Sequence, residues 1–400
     1  MVFMSSDITH RSRRTIAQGA LTNSKHPDRF SVMVPSHIKY GYGCHLYDME
    51  ERKWLDMIAG LGANHFGYGN KKIVGEMIRY AFHGGCHSLP TYHEVEATEK
   101  LKQLFPFVDK VKWVNDGSSA CTAACIMARA YTGRAKVLTE GYHGWHPEHI
   151  SPVAYQPNGN IYSIKKFKNI DDLDDTVACF ILEPVQLDDS RPRIEWLKKI
   201  REKCTQHGIV LIFDEVITGI RYPKFGVANS YGILPDLILV GKAMANGEKI
   251  AAVGGHKNLL DGDYFVSGTY HGHIQSLIAA RVAMNMAKFD SNYDLARLNS
   301  DSLEFYASLN TMAKGIFSVE GWGCRGAFKG EFHLYLQEMA KARILLGPSI
   351  FINFDSVKHL KEILEFSQIA IDNIKNNVAK MMGPAPTGAF SSKLRGNKDD

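Results

Sequence analysis

Three charged residues stand where short apolar runs end. Glu183 follows "ACFIL" (178–182), Asp214 follows "IVLIF" (209–213) and Lys242 follows "LILVG" (237–241). In open parallel sheets, ligands gather at the carboxyl ends of the strands. An unpaired carboxylate or ammonium is too costly to bury. Asp214 and Lys242 therefore read either as a structural ion pair or as the charged ends of one ligand site. Another run, "VKWVN" (111–115), leads into Gly117-Ser118-Ser119 and an Ala-rich segment of helical character. Such a turn offers unpaired backbone N–H groups and hydroxyls to a phosphate dianion. The plainer alternative is that Ser118 or Ser119 only caps the helix. No GxxxxGK[ST] is present and no GxGxxG follows a strand, which argues against a nucleoside triphosphate or a dinucleotide. A third stretch, "EGYHGWHPEH" (140–149), carries a flat ring at Tyr142 between glycines that let backbone approach a ligand. His143, His146 and His149 follow at intervals of three. Gly144 and Pro147 indicate a loop, and no Cys or carboxylate stands at ligand spacing to these histidines. They are expected to be locally hydrogen-bonded rather than metal-bound, and no metal site is expected.

These features suit one kind of ligand: a phosphate, a flat ring, a basic ring nitrogen and an electrophilic carbon. Pyridoxal 5'-phosphate has all four. Its phosphate would lie on Gly117–Ser119, Tyr142 would stack on the ring, Asp214 would pair with the protonated ring nitrogen, and Lys242 would form the Schiff base.

The elements that must hold these residues follow from the patterning. "VKWVN", "KVLTE" (136–140), "ACFILEP", "IVLIFDE" and "DLILVGK" are short and lack polar alternation, as strands covered on both faces do. Segments such as "RIEWLKKIREKCTQHG" between them read as helices ending at glycine. The expected fold class is α/β, a large domain with a mostly parallel mixed sheet between helices and a small α+β domain built from both chain ends. The expected division is an N-terminal segment and ribbon over 1–65, a large cofactor-binding domain over 66–290, a small C-terminal domain over 291–382 and a mobile polar tail over 383–400. "HLYDMEERKWLDM" reads as two strands around a charged turn, and "GWGCRGAFKGEFHLYL" as an antiparallel ribbon. "SVKHLKEILEFSQIAIDNIKNNV" reads as an amphipathic helix.

With 45% hydrophobic and 22% charged residues and a net charge of +5 over 400 residues, the chain has the balance of an ordinary globular protein and no nucleic-acid footprint. No apolar run reaches bilayer length, and the first residues do not read as a secretory signal. Seven scattered cysteines without a CxxC pair point to reduced thiols and a cytoplasmic setting.

The ordered motifs resemble the class III, fold type I, pyridoxal-phosphate aminotransferases, in particular the glutamate-1-semialdehyde aminomutase-like branch. "IFDEVITGIR" (212–221) is similar to that family's D-E-V-x-T-G-F-R signature, and "YGILPDLILVGKAMANGEKIAAVGG" (231–255) carries the lysine at the family's distance. "VNDGSSACTAACIMARAYTGRAKVLTEGYHG" (114–144), "ILEPVQ" (181–186), "SGTYHG" (267–272) and "PSHIKYGYGCHLYDMEERKWLDMIAGLGANHFGYGN" (35–70) match in order. Here Gly117-Ser118-Ser119 replaces the family's Gly-Thr-Glu, and His273-Ile274 stands where the family has Asn-Pro.

The resemblance implies catalytic roles for Lys242 and Asp214. It implies cofactor contacts from Gly117, Ser118, Ser119, Tyr142, His143, Glu183, Gln186 and Val216, the last on the ring face opposite Tyr142. Thr269 would reach the phosphate of a neighbouring subunit, implying a homodimer with a shared site. Arg29 is the candidate for a substrate carboxylate. The implied activity is transfer of an amino group between an amino compound and a carbonyl acceptor. An internal amino shift, as in the aminomutases, is the alternative. "LTNSKHPDRF" (21–30) also resembles relatives in surface-polysaccharide pathways, which implies a keto-sugar as a further alternative.

Overall fold

The computed structural model describes residues 5–150, 164–186 and 191–386. The expected tail from 383 lies largely outside the described residues. Two compact units emerge. One comprises Met1–Leu61, Phe66–Asn70 and Leu298–Asp400, the other Gly62–His65 and Lys71–Arg297.

After the helix Ser5–Thr15 and three short helical turns, the smaller unit holds β1 (Ile38–Tyr42), β2 (His45–Asp48) and β3 (Lys53–Asp56), which form two successive antiparallel pairs. The charged turn between β2 and β3 is tied by Asp48. Its carboxylate accepts the N–H groups of Glu50 and Arg52 at 3.0 and 2.9 Å, Arg52 Nε at 2.7 Å and Trp54 Nε1 at 3.0 Å. A buried acid is tolerated there because every lone pair has a donor.

The larger unit holds β4 (Lys110–Val114), β5 (Lys136–Glu140), β6 (Ile164–Lys166), β7 (Val177–Leu182), β8 (Val210–Asp214), β9 (Leu237–Val240) and β10 (Ala251–Gly255). They form one sheet in the order β4-β10-β9-β8-β7-β5-β6. All are parallel except β10, which runs antiparallel to both β4 and β9. Strands β7, β8 and β9 are buried along their whole length, which explains their unbroken apolar sequence. The sequence pattern did not single out β10. Its residues, Ala-Ala-Val-Gly-Gly, are poor strand formers alone. Gly255 is required by packing, since a Cβ there would lie 2.4 Å from the Asp236 carbonyl oxygen.

The helix Gly117–Thr132 covers one face of this sheet. It buries Ala120, Cys121, Ala123, Ala124, Cys125, Met127 and Ala128 in a core with Cys179, Ile181, Val210, Ile212, Leu237, Leu239, Ala251 and Val253. The mostly small side chains let the helix lie close to the strands. It stops at Gly133, whose φ of 66° is left-handed and whose N–H returns to the Arg129 carbonyl. Strand residues two apart share a face. Asp214 therefore continues the row Val210, Ile212 and points towards this helix.

The smaller unit is completed by β11 (Phe317–Trp322) and β12 (Arg325–Gly330), an antiparallel pair, with β13 (Ile344–Leu345) parallel to β3 and β14 (Ser349–Phe351) on β12. The amphipathic helix spans Leu360–Lys375 and buries Leu360, Ile363, Ala370 and Ile371. All seven cysteines are free, and all but Cys86 are buried. Among the described residues, no helix is long and apolar enough to cross a membrane.

Candidate active site

Because β4, β5, β7, β8 and β9 point the same way, their carboxyl ends line one edge of the sheet. The segments that follow them carry Gly117–Ser119, Gly141–Gly144, Glu183, Asp214 and Lys242. Register places Asp214 beside Leu239, so Lys242 lies three residues past Asp214's neighbour on the adjoining strand.

Asp214 is 8% exposed and well supplied with donors. His143 Nδ1 lies 2.8 Å from Asp214 Oδ2, and the Cys121 thiol donates to the same oxygen at 3.4 Å. The Val216 N–H donates to Oδ1 at 3.2 Å. This leaves a lone pair on Oδ1 for one further donor at the sheet edge. His143 Nε2 faces the Glu140 carbonyl at 3.1 Å. An acceptor at each ring nitrogen favours the doubly protonated form of His143. The charges agree. Burial alone pushes the Asp214 carboxyl up, but the hydrogen bond and charge of His143 outweigh it and hold the carboxyl below its ordinary value. Burial lowers His143, but Asp214 prevails and raises it above the usual imidazole value.

That pairing fixes the sign of a pH dependence. A depressed acid stabilises the fold above its unfolded value of ~3.9 and loses that contribution as pH falls through the folded value. A raised histidine contributes fully below ~6.5 and loses it as pH rises through its folded value. The pair therefore stabilises the protein most between those two values. We expect His143→Asn to flatten both limbs of the melting temperature plotted against pH. Parallel curves for the two proteins would contradict the pairing.

The phosphate-type turn is built by Asp116, not by a serine. Its carboxylate caps the helix by accepting the Ser119 N–H at 2.8 Å. Ser118 Oγ accepts the Trp145 N–H at 3.3 Å, which leaves its own proton to donate. Gly117 and Ser118 are in the first helical turn, where N–H groups have no carbonyl within the helix. Gly144, at φ 94°, is packed so tightly that a Cβ would lie 2.2 Å from Ser118 Oγ. Gly144→Ala is expected to cost about 1–3 kcal/mol of stability and to displace Ser118. Equilibrium denaturation and the retained phosphate-bearing ligand measure both effects.

Val216 lies between two glycines. A Cβ on Gly117 would approach its Cγ1 to 3.1 Å, and one on Gly241 to 3.2 Å. Glu183 Oε1 accepts the Tyr142 N–H at 2.8 Å, and Gly141 makes room for it, since a Cβ there would come within 3.0 Å. Tyr142 presents an exposed ring. Lys242 is half-buried and has a φ of 47°. Side chains other than glycine hold this region at a cost, which is typical of functional positions. Gln186 is half-buried past the end of β7, and Thr269 is exposed in the turn after Gly268.

Arg29 belongs to the smaller unit. It is buried there, contrary to the surface position ordinary for an arginine, and its Nη2 donates to Asn23 Oδ1 at 2.6 Å. Burial lowers its guanidinium pKa, opposed by Asp28.

Sequence reasoning did not anticipate three contributors. Cys121, in the Ala-rich helix, faces Asp214 and donates to its carboxylate. The partnership of His143 with Asp214 joins residues 71 apart. Glu215, pointing to the other face from Asp214, accepts from Thr218 Oγ1 at 2.7 Å and from the N–H groups of Val227 and Ala228 at 2.8 and 3.0 Å. It thereby ties the end of β8 to the helix Gly226–Tyr231.

The arrangement fits pyridoxal phosphate by its own chemistry: an ionised buried acid with one lone pair to spare, a helix turn with free donors, a small apolar residue cradled by glycines, and a lysine on the neighbouring strand end.

The profile of the family described as Aminotransferase class-III matches residues 28–158 and 147–296. The glutamate-1-semialdehyde 2,1-aminomutase of Nitrosopumilus maritimus is 30% identical over 316 residues, covering 72% of this chain and 74% of its own. Among solved structures, the FumI protein of Sphingopyxis sp. MTA144, described in its pyridoxal-phosphate-linked form, superposes with a TM-score of 0.86 at 21% identity, covering 94% of this chain and 98% of its own. An omega-transaminase from Sphaerobacter thermophilus gives a TM-score of 0.83 at 20% identity over 93% and 98%. These structures share the fold type I architecture of the larger unit, and the sequence matches run through every segment of the sheet edge. The chain belongs to the class-III aminotransferases.

Proposed function

We propose that this chain is a pyridoxal-phosphate-dependent aminotransferase that moves an amino group between an amino compound and a keto or aldehyde acceptor, anchoring the cofactor through Lys242. The observation that carries this reading is Asp214, held ionised by His143 and Cys121, with Oδ1 open beside the strand end that bears Lys242. When bound, pyridoxal phosphate supplies an electrophilic carbon for amines and a pyridinium ring that withdraws the electron pair left when an α-proton departs. Asp214 keeps the ring-nitrogen proton in place, because an opposite charge within ~4–6 Å favours a cation. Gly117, Ser118 and Ser119 hold the phosphate through N–H and hydroxyl donors. Tyr142 and Val216 enclose the two ring faces, and Glu183, through the Tyr142 N–H, fixes the loop that bears Tyr142. His143 orients Asp214. Gln186 would touch the ring hydroxyl. Lys242 Nζ, past the end of β9, would serve as the base that moves a proton at the reacting carbon.

The same reading includes a homodimer, with Thr269 donating to the phosphate in the neighbouring subunit. Exposed Phe265 and Tyr270 flank Thr269, and apolar side chains of that size are commonly covered by a partner. Arg29 remains the candidate for a substrate carboxylate.

A second reading, an internal amino shift, is favoured by the names of the sequence relatives, which are glutamate-1-semialdehyde 2,1-aminomutases. Adding amino compounds one at a time to the purified protein, and following the near-ultraviolet and visible spectrum, tests the main reading. At least one should convert the lysine-bound cofactor to its aminated form, and a keto acid, aldehyde or keto-sugar should reverse it. Isomerisation of glutamate 1-semialdehyde with no added acceptor would favour the aminomutase instead. Purified protein that neither holds nor takes up pyridoxal phosphate would rule out both.

A further inference from the structure

A cluster in the smaller unit, outside the site above, has the donors of a metal centre. Cys44 and His45 form the end of the β1–β2 turn, and His359 immediately precedes the helix Leu360–Lys375. One donor atom from each lies within 4.8 Å of the other two. Cys44 is buried and both histidines are half-buried, so the thiol is sheltered while the imidazoles reach solvent. The rings of His45 and His359 meet edge to face, with centroids 5.3 Å apart.

We propose that Cys44, His45 and His359 bind a zinc-type divalent cation, with solvent at the fourth position. Two independent features support this. Tetrahedral zinc with Zn–S of ~2.3 Å and Zn–N of ~2.0–2.1 Å places sulfur and nitrogen about 3.6 Å apart. Cys44 Sγ and His45 Nδ1 are 3.5 Å apart. The remaining donor separations are within 4.8 Å. Second, His359 Nδ1 lies 3.0 Å from Glu362 Oε2. A proton held there by the carboxylate leaves the Nε2 lone pair as the donor, the arrangement that carboxylates impose on metal-bound histidines. Asp355 adds negative charge beside the turn, its Oδ2 lying where a Cβ on Gly43 would be 3.5 Å away. Lys53 and Lys358 also face the cluster, and Lys358 is paired with Asp355 at 2.9 Å. Binding releases the Cys44 thiol proton to solvent and forms one metal–sulfur and two metal–nitrogen bonds. It would clip the N-terminal ribbon to the C-terminal helix, so binding energy becomes folding energy for this unit.

The test uses the full-length, cofactor-loaded protein freed of metal by a chelator. Titration with Co²⁺ should saturate at one equivalent and give a thiolate-to-cobalt charge-transfer band. Zn²⁺ should displace it and raise the melting temperature. Cys44→Ser should lose the band, and Glu362→Gln should weaken Co²⁺ binding about 10–100-fold. His359→Gln, at a half-exposed position, should lose the stoichiometric binding while keeping the native circular dichroism spectrum. Cys121→Ala separates this site from the buried group Cys121, His143 and Asp214, whose donor atoms also lie close together. A band that survives Cys44→Ser, disappears in Cys121→Ala, or never forms overturns the proposal.

Discussion

Lys242→Ala is expected to lower turnover by about 10⁴-fold or more and to leave the purified protein colourless. Two losses act together. On the proposed roles the covalent anchor would disappear, leaving the cofactor held only by the phosphate turn, Asp214 and the two residues proposed to enclose the ring. The base that moves the proton at the reacting carbon also disappears, and positioned general acid–base catalysis alone contributes typically ~10²–10⁴-fold. The sheet should be unaffected, because Lys242 stands past the end of β9 and is half-buried. Its left-handed φ even favours a glycine over an alanine. Lys242→Gly should therefore be at least as stable as Lys242→Ala and equally inactive. Colour and activity surviving in either variant would remove Lys242 from the account.

Asp214→Asn is expected to retain part of the bound cofactor while losing roughly 10²–10³-fold or more in rate, the scale of a lost preorganised electrostatic contact. The amide is nearly isosteric, so the Val216 contact and the Cys121 packing should persist. The charge is lost, and with it the reason for the ring nitrogen to stay protonated. His143 should shift towards its neutral form too, because burial is then opposed only by the weaker charges of Glu183 and Cys125. The rate loss should therefore appear in kcat more than in the affinity for the amino compound. A variant with wild-type kcat would show that Asp214 is only a structural ion-pair partner.

The positions of Asp214 and Lys242 were legible because an apolar strand that ends on a charge leaves a local mark, and the resemblance supplied their order. All five runs are strands, but only β7, β8 and β9 are buried along both faces, which erases polar alternation; β4 lies at the sheet edge with Lys110 exposed and Lys112 half-buried, and β5 is half-buried at both ends. Strand β10 escaped because small residues carry no such mark, although it connects β4 to β9. Cys121, and the pairing of His143 with Asp214, escaped because their importance lies in tertiary contact. A cysteine in an Ala-rich helix and a histidine in a glycine loop look unremarkable until the fold brings both to one carboxylate. The serine N-cap offered as the alternative reading gave way to Asp116 for a simpler reason. Ser118, Ser119 and Asp116 are all good caps, and only the backbone of Asp116, extended at φ −162° and ψ 173°, settles which one is used.

Reduction with borohydride followed by peptide mapping tests the central claim most directly, because it fixes pyridoxal phosphate to whichever amine holds it. A single pyridoxyl-modified peptide carrying the label on Lys242 is expected. A label on any other lysine, or a protein that takes up no label after incubation with the cofactor, would contradict it.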